Sequence, residues 1–106
     1  MFDFFRRDNS RSIDVNAMDN IIGKVELIDI REPYEYESGI IKTAKNIPME
    51  NLLADPDKYF FKEKTYYLIC RSGARSGRAV KKLTKQGFDV INVAGGMIAY
   101  SGTNRS

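Results

Sequence analysis

Histidine is missing from all 106 residues of the chain, and cysteine occurs once, as Cys70. The first absence removes a Cys-His catalytic pair, a Ser-His-Asp triad and the common zinc sites. The second excludes an internal disulfide framework and a Cys-x-x-Cys redox pair, and it fits a reducing, cytoplasmic setting. Nothing in the residue pattern calls for a metal or a cofactor. No apolar stretch is long enough to span a bilayer, and no internal repeat, low-complexity tract or linker breaks the chain. The opening Met1-Phe2-Asp3-Phe4-Phe5-Arg6-Arg7 sets apolar residues before arginines, the reverse of a secretory signal and too short for one.

What is present is ordinary for one globular domain with one core: 42% of residues are hydrophobic and 29% charged. The expected organisation is an N-terminal arm over residues 1–11 and a folded domain over residues 12–106. The arm's phenylalanines would pack on the domain, or serve as a surface anchor or docking arm. Lysine and arginine outnumber the acids by 17 to 14, a net charge of +3. Arg71, Arg75, Arg78, Lys81, Lys82 and Lys85 gather in one stretch. No aromatic-interleaved basic stripe accompanies them, which argues against nucleic acid. A small anionic substrate, or an acidic protein surface, suits these cations better.

Strands alternate with helices along the chain. Residues 12–15 read as a first strand, with Asn16 as N-cap of a short helix through Ile22. Residues 25–30 form a second strand. Pro33 suits the first turn of a helix running to about Ser38, Gly39 closes it, and a short third strand falls near residues 44–46. Pro48 opens a helical stretch over residues 49–53, and Asp55-Pro56-Asp57 reads as a turn. Residues 65–69, an apolar, β-branched and aromatic run, read as a buried strand. The basic segment from about Gly77 to Gln86 reads as a helix with Ser76, Ala79, Val80 and Leu83 on one face, and Gly87 takes its C′ position. Residues 90–93 are the last strand, and Gly95-Gly96 turns into a final helix from Met97. The expected fold class is α/β: a central, mostly parallel five-stranded sheet with helices on both faces.

Cys70 follows the buried strand directly and opens the run Cys70-Arg71-Ser72-Gly73-Ala74-Arg75-Ser76. A lone cysteine is usually a small buried hydrophobe. Its neighbours argue otherwise here, being too polar and cationic for the end of a core strand. Ligands of open α/β sheets bind at the carboxyl ends of strands. A strand, a glycine-containing loop and a helix start make an anion cradle, because the first amides of a helix lack internal partners. A thiol in such a cradle is favoured as thiolate, the attacking form. Without histidine, that thiolate has to be made by backbone amides, arginines and helix position.

Four segments together resemble the rhodanese family of single-domain sulfurtransferases. Asp29-Ile30-Arg31-Glu32-Pro33-Tyr34-Glu35-Tyr36 looks like its first signature, and residues 39–48, Gly39 to Pro48, like its second. Cys70 to Ser76 looks like its active-site loop, and Asn92-Val93-Ala94-Gly95-Gly96-Met97 like its last motif. The resemblance implies a rhodanese-like fold and a sulfurtransferase that moves a sulfane sulfur from thiosulfate or a persulfide, through a persulfide on Cys70, to a thiol or cyanide. It makes Cys70 the catalytic residue and Arg71, Ser72, Gly73, Ala74, Arg75 and Ser76 the substrate-binding loop. Asp29 and Arg31 then support the site, with Arg31 in a salt bridge to Asp29 or Glu32 at the loop edge.

The chain departs from the family's usual pattern at several places. Ile40 stands where many members have histidine, and Tyr100 about where many have tryptophan. Ser72 replaces a lysine common in thiosulfate-specialised members, and Glu35 stands near another of their cations. Two other functions compete. A phosphatase or arsenate reductase on the same fold would need five residues between cysteine and arginine, whereas four separate Cys70 from Arg75. A non-turnover sulfur carrier or persulfide-sensing module would keep Cys70 but release sulfur slowly.

Overall fold

A computed structural model describes residues 11–106. Its frame is a five-stranded sheet in the order β1-β5-β4-β2-β3, made of Ser12–Asp14 (β1), Glu26–Asp29 (β2), Lys45–Asn46 (β3), Thr65–Ile69 (β4) and Asp89–Ala94 (β5). Every pairing is parallel, so the sheet goes beyond the expected mostly parallel arrangement. Parallel strands demand crossovers that cover both faces. Pro33–Glu37 (α1), Met49–Ala54 (α2), Pro56–Tyr59 (α3), Ala74–Lys85 (α4) and Gly96–Ala99 (α5) supply most of that cover.

β4 is the central strand, and its alternation serves two cores. Tyr66, Leu68 and Cys70 point to one face, where they pack with Leu52 of α2, Phe60, and Ala79, Val80 and Leu83 of α4. Ile69 points to the other, among Val15, Met18, Ile41, Val93, Met97 and Tyr100. The register pairs Asp29 with Ile69 and Leu68 with Asn92. Cys70 therefore lies one step beyond the paired region, at the carboxyl end of the sheet. Phe60 stacks on Tyr66 with ring centroids 3.8 Å apart, and the Phe61 amide donates to the Tyr66 hydroxyl at 2.9 Å.

The local differences from expectation have physical causes. The short helix after β1 is a 3₁₀ helix, Val15–Asn20, capped by Asp14, whose carboxylate accepts the Asn16 amide at 3.0 Å. Asn16 is thus not the cap; its side chain instead ties Ala99 and Ser101. The expected turn at residues 55–57 continues into α3, because Pro56 at the first helical position carries a preset φ and needs no amide partner. The basic helix starts at Ala74, three residues before Gly77, so the second half of the cysteine loop is already helix. Its far end closes as expected, with the Gly87 amide on Thr84 O and the Phe88 amide on Leu83 O.

Residues 1–10, nearly all of the expected N-terminal arm, lie outside the described residues. Arg11, its last position, accepts the Asn92 amide on its carbonyl at 2.9 Å and pairs its guanidinium with Asp89. Among the described residues no helix is long and apolar enough to cross a membrane.

Candidate active site

The site begins with a backbone problem. The chain must leave β4 at Ile69, circle once, and enter α4 at Ala74 within four residues. Gly73 makes this possible at φ +95°, a left-handed conformation that side chains rarely adopt. A Cβ there would also stand 3.1 Å from the Gly95 amide nitrogen. Gly96 (φ +60°) holds the loop from the other side, where a Cβ would lie 2.5 Å from the carbonyl oxygens of both Cys70 and Arg71. That close approach lets Met97 N–H donate to Cys70 O and Ile98 N–H to Arg71 O, each at 2.9 Å.

The thiol sits inside this ring and is fully buried. Gly73 N–H points at Sγ from 3.1 Å and Ser76 N–H from 3.4 Å, while the Ser76 hydroxyl lies 3.2 Å away. Burial pushes the thiol pKa up. Against it work the Ser76 hydroxyl and the amides of Ser76, Gly73 and Ser72, and they prevail: the pKa is lowered from its ordinary value. Ser76 is itself fully buried, and its hydroxyl donates to Asn92 Oδ1 of β5 at 2.5 Å. Asn92 Nδ2 in turn donates to Gly73 O at 3.3 Å.

The remaining loop side chains divide by direction. Arg71, Ser72 and Ala74 are exposed. The Ser72 hydroxyl accepts the Ala74 amide at 3.4 Å, a weak local turn bond. Arg75 is not a free cation of the loop: its Nη1 and Nη2 grip the two oxygens of Glu35 at 2.8 and 2.9 Å. Glu35 also accepts the Glu32 amide at 2.9 Å, closing the capping box of α1. The Arg75 guanidinium is the largest influence on the Glu35 carboxyl. It outweighs burial and, with the Glu32 amide and Arg31, lowers the pKa from about 4.5 to about 2.

Arg31 serves the frame. Its side chain binds Asp29 through Nε at 2.9 Å and Nη2 at 2.7 Å, and Nη2 also donates to Gly39 O. Both partners are buried. Asn46 Nδ2 crosses to Asp29 O and Arg31 O, each at 2.9 Å, joining β3 to this corner. The structure thus gathers Cys70, Gly73, Ser76 and Arg75 in one ring, and sets Asp29 and Arg31 beside it as a brace. Sequence reasoning named Asn92 only within the last motif and gave it no role, and it did not foresee that Glu35 clamps Arg75. A polar residue inside the apolar run of residues 90–93 is a signal that could have found the first.

The chain has clear relatives. The rhodanese-like domain family model matches residues 14–103. YtwF of Bacillus subtilis, whose name gives it as a putative sulfurtransferase, is 43% identical over 81 residues, covering 74% of this chain and 76% of its own. A protein of Allochromatium vinosum named sulfurtransferase is 40% identical over 78 residues, covering 73% of this chain and 72% of its own. The crystal structure of a rhodanese-like domain protein from Staphylococcus aureus superposes with a TM-score of 0.80 at 33% identity. It covers 91% of this chain and 96% of that one.

Proposed function

The chain belongs to the rhodanese-like domain family, and on that premise we propose that it transfers a sulfane sulfur through a persulfide formed on Cys70. The observation that carries this reading is the ring itself: a buried sulfur that backbone amides and a hydroxyl pull toward thiolate without any histidine. The thiolate attacks the outer sulfur of the donor. A new Sγ–S bond forms, the donor's own bond to that sulfur breaks, and its remainder leaves with the electron pair, as sulfite from thiosulfate or as a thiolate from a persulfide. The terminal sulfur of the Cys70 persulfide is then an anion, which the loop amides suit. A thiolate or cyanide takes that sulfur and returns Cys70 to thiolate. With no second cysteine to form an internal disulfide, the acceptor is an outside molecule. A single unpaired thiol also suits a reducing cytoplasmic compartment.

Donor choice follows from charge. Thiosulfate is a dianion, and its sulfonate end wants cations. Ser72 supplies none, and Glu35 neutralises Arg75. That leaves Arg71 and the loop amides. An alkyl persulfide loses little from these gaps. At the exposed position of Ser72 a lysine adds about 1 kcal/mol or less, a few-fold in binding. The expected kinetics are a high KM for thiosulfate, a preference for persulfides in kcat/KM, and a few-fold gain in thiosulfate use for Ser72→Lys. Steady-state rates on both donors test this, with Cys70→Ser as the inactive control. A wild type that already prefers thiosulfate, with Ser72→Lys unchanged, would contradict the charge argument. Loop geometry disfavours a phosphatase, since four residues between Cys70 and Arg75 make a ring sized for a sulfur atom rather than a phosphoryl group.

A further inference from the structure

The Ser76 hydroxyl has one proton and two claimants. It lies 3.2 Å from Cys70 Sγ and 2.5 Å from Asn92 Oδ1. The orientation of the Asn92 amide is set by its other end, which faces Gly73 O at 3.3 Å. A carbonyl can only accept, so that end is Nδ2 and the end facing Ser76 is the acceptor Oδ1. The shorter contact therefore draws the hydroxyl proton to Asn92. With a neutral thiol the network is complete: S–H donates to Ser76 Oγ, and Ser76 O–H donates to Asn92. Ionising Cys70 removes the thiol proton and forces a choice. Ser76 either turns its proton to the sulfur and abandons Asn92, or stays and faces the thiolate with a lone pair.

We infer that Asn92 is a positioning residue that competes with Cys70 for the Ser76 proton and so restrains the thiolate population of the nucleophile. The inference rests on reading Cys70 as the attacking group, and it deepens that reading by naming what limits it. Asn92 acts through Ser76 and touches no substrate. It carries no charge, so it reaches the sulfur only through hydrogen bonds, one with the Ser76 hydroxyl and a longer one to Gly73 O. Charged side chains on the elements around the sulfur are Arg71 in the loop, the Arg75–Glu35 pair between α4 and α1, the Asp29–Arg31 pair at the end of β2, Arg78, Lys81, Lys82 and Lys85 farther along α4, and Asp89 at the start of β5. The Ser76 hydroxyl bonds to Cys70 and Asn92, so the effect of Asn92 is separable from theirs. A persulfide on Cys70 has an uncharged Sγ and leaves the Ser76–Asn92 bond undisturbed. Asn92 therefore favours a loaded cysteine over a bare thiolate.

The test is an ultraviolet thiolate titration of the full chain, with Cys70→Ser as blank. Removing the acceptor in Asn92→Ala frees the hydroxyl for the sulfur, so the midpoint falls by roughly half to one pH unit, the size of one neutral hydrogen bond. Asn92→Leu, close in shape and without an acceptor, gives the same fall and guards against a packing defect in the alanine variant. Ser76→Ala alone raises the midpoint. In the Ser76→Ala background, Asn92→Ala changes nothing, because the messenger is gone. A merely structural Asn92, acting through Gly73, would shift the midpoint equally in both backgrounds. An unchanged or higher midpoint in both Asn92 variants, or an equal fall without Ser76, overturns the inference. The titration needs no turnover, so it can fail while sulfur transfer stands, and the reverse.

Discussion

The proposed chemistry of this protein rests on one sulfur atom and the hydrogen bonds aimed at it. Cys70 is buried, which alone would raise its pKa and make it inert. The Ser76 hydroxyl and three amides reverse the sign. For the proposed sulfur transfer, a depressed thiol pKa means that the rate rises with pH only up to that pKa and is flat above it. The expected profile therefore reaches its plateau at lower pH than for a free cysteine, whose pKa is about 8.5. A rate still climbing above that value would return Cys70 to the role of a core residue. Glu35 makes a second residue-scale prediction. Its pKa is lowered to about 2 from an ordinary value near 4.5, so its pairing with Arg75 contributes stability that is complete above the ordinary value and is lost as pH falls toward 2. Glu35→Gln keeps an acceptor for the Glu32 amide but loses the charge. It should show a shallower loss of stability across that window in urea melts, and it should lower the KM for thiosulfate by releasing Arg75. Parallel acid slopes for both proteins would contradict the assignment.

At the scale of elements, two glycines separate backbone strain from crowding. Gly23 and Gly96 both have positive φ, but a Cβ at Gly23 meets nothing within 4 Å, whereas at Gly96 it meets two backbone carbonyls at 2.5 Å. Gly23→Ala should cost about 1–3 kcal/mol from conformation alone. Gly96→Ala should cost clearly more, and should also shift the Cys70 titration, because the α5 amides that hold the Cys70 and Arg71 carbonyls must move. Chemical denaturation of the pair checks this, and equal costs would refute it. The same elements show what the sequence could reveal. Short apolar runs, helical spacing and glycine or proline punctuation placed all five strands and the long helix. The start of α4 was misjudged because Ala74, Arg75 and Ser76 look like loop in composition, while what lets a helix begin there is a left-handed Gly73 packed against Ala94, at the end of the neighbouring β5, and Gly95 just beyond it. The Glu35–Arg75 clamp left no local trace, since 40 positions separate its partners. Asn92 was legible as the first residue of the last motif, but its role was not, because the Ser76 it meets lies 16 positions away.

For the molecule as a whole, the sheet divides the interior into two cores, and β4 belongs to both. The proposed reactive loop is the continuation of that strand, so it is anchored by a strand that contributes to both cores. Leu68→Ala, at a fully buried site within β4, should destabilise the protein by about 2–5 kcal/mol. A thermal or urea melt showing a loss under 1 kcal/mol would mean that β4 is not the keystone described here. At the end of that strand, sulfur loading of Cys70 is the step on which the proposed function depends. Intact-protein mass spectrometry after brief exposure to glutathione persulfide or thiosulfate reads it out. The expected result is one added sulfur atom, mapped to Cys70, lost on addition of cyanide or a thiol with thiocyanate or a new persulfide as product, and absent from a folded Cys70→Ser variant. A wild-type mass unchanged by either donor, or an added sulfur retained by Cys70→Ser, would contradict it.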